Sequence, residues 1–237
     1  MNLNENITPE EENFELADSE IQNTLPEEEH FELSDREIFT KIWTSPRLVF
    51  KYLNDKNYDK FVFTLLILVG IAKTFDRASA KNMGDNMPLI AVLSICIIIG
   101  GLLGWISIYI CAAVMSWTGK WLNGQGNTNS LVRMISYASI PSSLALIVLI
   151  PQIALFGNGM FQSDFNIHEE EMLSIIVFYF TFAIELILVI WTMVIFFIGT
   201  SEVQKFSIGK SILNMILSVL VISVPLILIA LLGVVLR

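Results

Sequence analysis

The sequence predicts an all-α fold: a polytopic membrane protein, a bundle of five transmembrane helices behind a disordered acidic N-terminal tail. Three observations predict it. Charge is scarce, with 54% of the 237 residues hydrophobic and 16% charged, where a soluble domain carries about 25% charged residues. The apolar residues gather in runs that approach or exceed the roughly 20 residues a helix needs to cross hydrocarbon. Charge is also segregated. Residues 1–35 hold twelve acidic side chains and no Lys or Arg, while the rest of the chain holds 14 basic against 11 acidic. The net charge of −9 is therefore a property of the tail and not of the membrane body.

Residues 1–35 contain a tandem repeat. P-E-E-E-N-F-E-L-A-D-S-E-I, starting at Pro9, returns as P-E-E-E-H-F-E-L-S-D-R-E-I, starting at Pro26, with ten of thirteen positions identical. One unit has too few apolar groups to offset its ordering entropy, and its carboxylates repel one another, so disorder is expected. Phe14, Leu16, Phe31 and Leu33, followed by Ile21 and Ile38, are the candidate anchors of a docking motif for a cytoplasmic protein partner. Simple duplication of a solvated tail accounts for the repeat equally well.

Residues 36–60 change character. Apolar residues recur at Ile38, Phe39, Ile42 and Trp43, then at Leu48, Val49, Tyr52 and Leu53, the spacing of an amphipathic helix. Pro46 divides the segment, with Ser45 placed to cap the second piece. Lys41, Arg47, Lys51, Lys56 and Lys60 supply a basic face, and the reading is a helix lying in the membrane interface.

The five spans, within a transmembrane domain over 61–237, are expected at about 61–80, 88–117, 131–156, 172–199 and 211–236. The first has a purely apolar core of only twelve residues, 61–72. With the acidic N-terminus in the cytoplasm, no cleavable signal peptide is expected and the first span directs insertion. That orientation places ten Lys and Arg on inner segments and four on outer ones, in accord with the positive-inside rule. The C-terminus then lies on the opposite side.

Within the spans, Gly100 and Gly104 form a GxxxG, which lets another helix backbone approach closely. Packing inside the monomer is the commoner use of that motif, and a homo-oligomer interface is the other. The third span carries Ser136, Ser139, Ser142 and Ser143 around Pro141, with Pro151 beyond, so a kinked helix buried among the others is expected. Ser211, Asn214 and Ser218 share one face of the fifth.

Glu185 is the ionisable group nearest the middle of a span, and such a group at that depth suggests function with a partner. The candidate intramembrane polar site is Glu185 with Lys73 and Arg77 as its cations and Asp76 as competitor. An ion or proton relay, a lipid-headgroup site, a plain structural ion pair and a protonated Glu185 hydrogen-bonded to a serine all fit those residues.

Other chemistry finds no support. No serine in a span has a histidine near it in sequence, and no GxxxxGK[ST] or HExxH occurs. His30 and His168 do not form a ligand-spaced pair, so no metal site is expected. Cys96 and Cys111 are separated by about 22 Å along one helix and cannot bridge. No basic face with interleaved aromatics points to nucleic acid. No catalytic residue, cofactor or enzymatic activity is expected.

Four motifs in order carry a resemblance. The approach segment F-T-K-I-W-T-S-P runs from Phe39 to Pro46. The hinge reads Gly119-Lys120-Trp121, then Gly124-Gln125-Gly126. Tyr137-Ala138-Ser139-Ile140-Pro141 follows, and Ile198-Gly199-Thr200-Ser201-Glu202-Val203-Gln204 leads into the last span. Together they resemble the Yip family (Ypt/Rab-interacting) of five-span membrane proteins, in a prokaryotic type. The resemblance implies a cytoplasmic N-terminus, a multi-span fold in a prokaryotic cell (inner) membrane, and no catalytic residues. Eukaryotic members are tied to Rab GTPases, but the short acidic repeat replaces their longer N-terminal region. The expected function is a non-enzymatic membrane-organising or partner-recruiting scaffold in the lipid bilayer. The alternative is a small transporter, channel or lipid-moving protein that uses Glu185.

Overall fold

The computed structural model describes residues 32–235. The chain divides after Leu33, and the account below concerns the unit that begins at Ser34. Its described residues form helices and no strands: α1 (Asp35–Thr44), α2 (Pro46–Asp55), α3 (Val62–Ala80), α4 (Leu89–Trp121), α5 (Thr128–Ala138), α6 (Ile140–Ser143), α7 (Ala145–Phe156), α8 (Met172–Gln204) and α9 (Ile208–Val235). Short 3-10 turns stand at Met83–Asp85, Gly157–Phe161 and Ile167–Glu169.

Four stretches are long and apolar enough to cross a membrane: Leu89–Trp121, Ile140–Phe161, Met172–Gln204 and Ile208–Ile229. Their outer faces are rows of exposed Ile, Leu, Val and Phe, as helices facing lipid require. The protein is a multi-pass integral membrane protein. The expected first span becomes α3, whose second half carries Lys73, Asp76 and Arg77, so its length and composition alone do not place it across. At one end, Asp59 pairs with Arg133 of α5, with Arg133 Nε donating at 2.6 Å. At the other, Ser79 Oγ donates to the Met160 carbonyl at 3.0 Å and Asn158 Nδ2 to that of Gly84 at 2.9 Å. These contacts run α3 from the hinge end of the bundle to the end where α7 finishes.

The α3–α4 seam is a glycine contact. A Cβ on Gly70 would lie 2.3 Å from the Gly100 carbonyl oxygen and 2.8 Å from Gly104 Cα. The GxxxG of α4 is thus filled inside the monomer, by α3.

The third span departs from expectation. It begins at Ile140, and the preceding run forms the separate helix α5, whose residues 131–138 are all buried. Hydropathy counts an apolar residue alike whether lipid or protein covers it, so it extends the span back to Leu131. The break around Pro141 is satisfied locally: Ser142 Oγ and Ser143 Oγ each donate to the Ser139 carbonyl at 2.9 Å.

The amphipathic segment is two helices divided at Pro46. Ser34 and Glu37 close a capping box at the start of α1, satisfying two donors that a helix N-terminus leaves free. Much of the apolar face rests on protein, while Leu48 stays exposed. Val49, Phe50 and Leu53 of α2 are buried, with Phe50 against Gly199 of α8. The apolar stripe was legible; what would cover it was not. Asp35 accepts from both Lys60 and Tyr58. Those bonds hold its carboxyl below the usual range. Burial, and then the Asp35 carboxylate, push the Tyr58 phenol up to about 12.

Candidate functional site

Two polar centres lie inside the bundle. The first ties the hinge to the ends of three long helices. Gln204, the last residue of α8, is fully buried. Its Oε1 accepts from the Gly126 amide at 2.9 Å, its Nε2 donates to the Met115 carbonyl at 3.2 Å, and its own carbonyl accepts from the Gln125 amide at 3.1 Å. A Cβ on Gly119 or Gly124 would lie 2.3 Å from the Gln204 carboxamide, so this close approach accounts for both glycines. Beside it, Asn214 of α9 donates to the same Met115 carbonyl at 3.2 Å and accepts from Thr118 Oγ1 at 2.7 Å, and Ser218 lies 2.8 Å from that hydroxyl. Ser211, Asn214 and Ser218 are all buried, on the inward face their spacing predicts. Every partner here is internal, so the centre is a lock and not a binding site.

The second centre is a cavity of about 460 Å³, within the range typical of small-molecule sites, about 300–1,000 Å³. Three walls enclose it. One face of α3 presents Val69, Lys73, Asp76 and Ser79, at spacings of four, three and three. One face of α8 presents Glu185, Val189, Thr192 and Phe196. The broken third span supplies Ser139, Ser142, Leu149 and Gln152. Cys111 of α4 and Met215 of α9 also line it. The walls are mostly apolar, and the charged groups come from α3 and α8.

Glu185 is half-buried and takes a neutral partner. Its Oε1 accepts from Gln152 Nε2 at 3.0 Å, and the same amide donates to Thr181 Oγ1 at 2.8 Å. Gln152 is itself buried, so α7 holds α8 through one carboxamide. Neither candidate cation, Lys73 or Arg77, is the ion-pair partner of Glu185 among the described residues. No ion pair among the described residues includes Lys73, Asp76, Arg77 or Glu185. Arg77 does not line the cavity. Asp76 follows Lys73 by three positions on one face of α3, and both line the cavity that Glu185 lines from α8. The cations sit on α3, and a gap separates α3 from α8. Thr192 Oγ1 is buried with no hydrogen-bond partner.

The structure therefore brings Lys73, Asp76 and Glu185 to one cavity and leaves Arg77 outside. It adds Gln152 and Thr192, which sequence reasoning missed because single neutral polar residues are common in spans. Among the described residues no group of three His, Cys, Asp or Glu is placed to hold a metal ion. Phe14, Leu16 and Phe31 lie outside the described residues, and Leu33 is the last residue of the preceding unit.

A family model described as Yip1 domain matches residues 40–231. No curated protein matches the chain, and no solved structure does.

Proposed function

The chain belongs to the Yip1 domain family, and from that membership and the cavity we propose a five-span, non-enzymatic membrane protein that binds a bilayer-resident molecule beside Glu185. The observation that carries the reading is the cavity itself. It brings Lys73, Asp76 and Glu185 to one apolar space without pairing them with one another. Ionisable groups are costly inside a membrane and normally pair or line a functional path. A structural ion pair would have joined Glu185 to Lys73. The path of α3 from the Asp59–Arg133 contact to Gly84 supports its counting as the fifth span, at about 28 Å for 19 residues. The clustering of Arg47, Lys120, Arg133, Lys205 and Lys210 toward the hinge end supports a cytoplasmic N-terminus and an opposite C-terminus, in a prokaryotic cell membrane.

The test is mass spectrometry of organic extracts from protein purified in mild detergent. The intact chain retains a molecule that the Lys73→Met/Glu185→Leu variant loses, while melting temperature changes little. Identical extracts overturn this reading. The scaffold alternative draws on the duplicated motif of the acidic tail. Affinity capture from the intact chain beside one lacking residues 1–35 tests it: a partner lost with the tail supports recruitment.

A further inference from the structure

The cavity has a side door. Helices α3 and α8 face each other across it without a packed seam between them. Val189 and Met193 both line the cavity and stand 49% and 45% exposed on the outside of α8. Lys73 and Asp76 line it from the opposite edge and are exposed as well. On its α8 side the outer surface beside this gap is the apolar surface of a membrane helix, so on that side the gap opens toward lipid tails. A solute path would need openings to water. A lateral opening with polar groups at its inner edge suits a molecule whose head enters and whose tails stay in the bilayer.

The charges narrow the head. Lys73 forms no ion pair among the described residues, which favours a ligand carrying an anion. Asp76 and Glu185 both line the cavity, from α3 and α8, and neither is in an ion pair among the described residues, which favours a ligand that also carries a cation. Gln152 spends its Nε2 on Thr181 and Glu185, and its Oε1 accepts no hydrogen bond from a described residue. The site thus offers three acceptors around the place a cation would occupy, so a primary ammonium with N–H donors fits better than a quaternary one. We infer that the cavity, on the reading of it given above, binds the headgroup of an ethanolamine glycerophospholipid. Its phosphate faces Lys73, and its ammonium lies among Glu185, Asp76 and Gln152. A choline head has the charge but no N–H donor. A glycerol head has no cation. A serine head adds a third carboxylate to the two already present.

The experiment is native mass spectrometry of the full chain released from nanodiscs holding equal parts of ethanolamine, choline, glycerol and serine phospholipids with identical acyl chains. The wild type is expected to retain the ethanolamine lipid about tenfold over the choline lipid, the scale of one or two charge-assisted hydrogen bonds. Glu185→Gln collapses that preference toward unity. Lys73→Met lowers retention of every phospholipid. Unaltered melting temperatures show that the variants fold. Equal retention of ethanolamine and choline lipids by the wild type overturns the assignment. If a molecule that is not a phospholipid is held and lost with Glu185, the assignment falls while the cavity reading stands. Retention insensitive to both side chains overturns both.

Discussion

At the scale of single residues the chain's best-read motifs prove to be mechanical. Gly119 and Gly124 fit tightly against Gln204, and Gly126 against Val203 and Gln204, all 77 or more positions away in sequence. Gln204→Leu leaves the Gly126 amide buried without its partner, while the Met115 carbonyl keeps its bond from Asn214, and a buried orphan costs about 1–3 kcal/mol. A lowered melting temperature in detergent is the expected outcome. Gly124→Ala should lower it too, because its Cβ would meet the same carboxamide. A neutral Gln204→Leu variant would show that the lock contributes nothing. A second residue-scale prediction concerns pH. The Lys41 ammonium, then Ser34, hold the Glu37 carboxyl down to about 2. Its folded value lies below its unfolded one. The contribution to α1 is therefore present above the ordinary carboxylate range and lost as pH falls through about 2. Carbon-13 titration of Glu37 should give a midpoint near that value, and Lys41→Met should move the midpoint upward.

Among elements, the α3–α4 seam separates necessary glycines from incidental ones. Gly104 faces Gly70 so closely that a Cβ would lie 2.2 Å from Gly70 Cα, whereas one on Gly101 meets only Ile side chains at 3.5 Å and beyond. Gly104→Leu should therefore lower the melting temperature sharply, by a destabilisation of about 1–3 kcal/mol or more, as overpacking costs. Gly101→Ala should leave it within experimental scatter. Equal effects would mean that the helices can slide apart and that the seam does not fix α3. The elements also show what a sequence carries. The division of the amphipathic segment at Pro46 was legible, because proline leaves a local mark on backbone geometry. The fate of its apolar face was not, since Val49, Phe50 and Leu53 look alike whether lipid or α8 covers them. The same blindness merged α5 into the third span: Leu131, Val132 and Ile135 are as apolar as a span, yet they are buried in protein.

For the whole molecule, the site followed a similar rule. Glu185 stood out because a carboxyl interrupts an apolar run, and Lys73 and Asp76 stood out in the same way. Their separation across a gap depends on how α3 and α8 are held by third parties, α4 and the broken third span, and no local pattern encodes that. The count of spans rests on the same helix. If α3 crosses, residues just before and just after it face opposite aqueous phases. If it lies flat or returns, they face the same one. Lys56 and Lys81 flank it and are both exposed, so each accepts a cysteine without disturbing the core. In a background carrying Cys96→Ala and Cys111→Ala, Lys81→Cys should react with a membrane-impermeant maleimide on intact cells. Lys56→Cys should react only after the membrane is opened. Labelling of both from outside, or of neither, would place the two ends of α3 on one side. The cavity would then lose its wall within the bilayer, because Lys73 and Asp76 reach Glu185 only if α3 spans beside it.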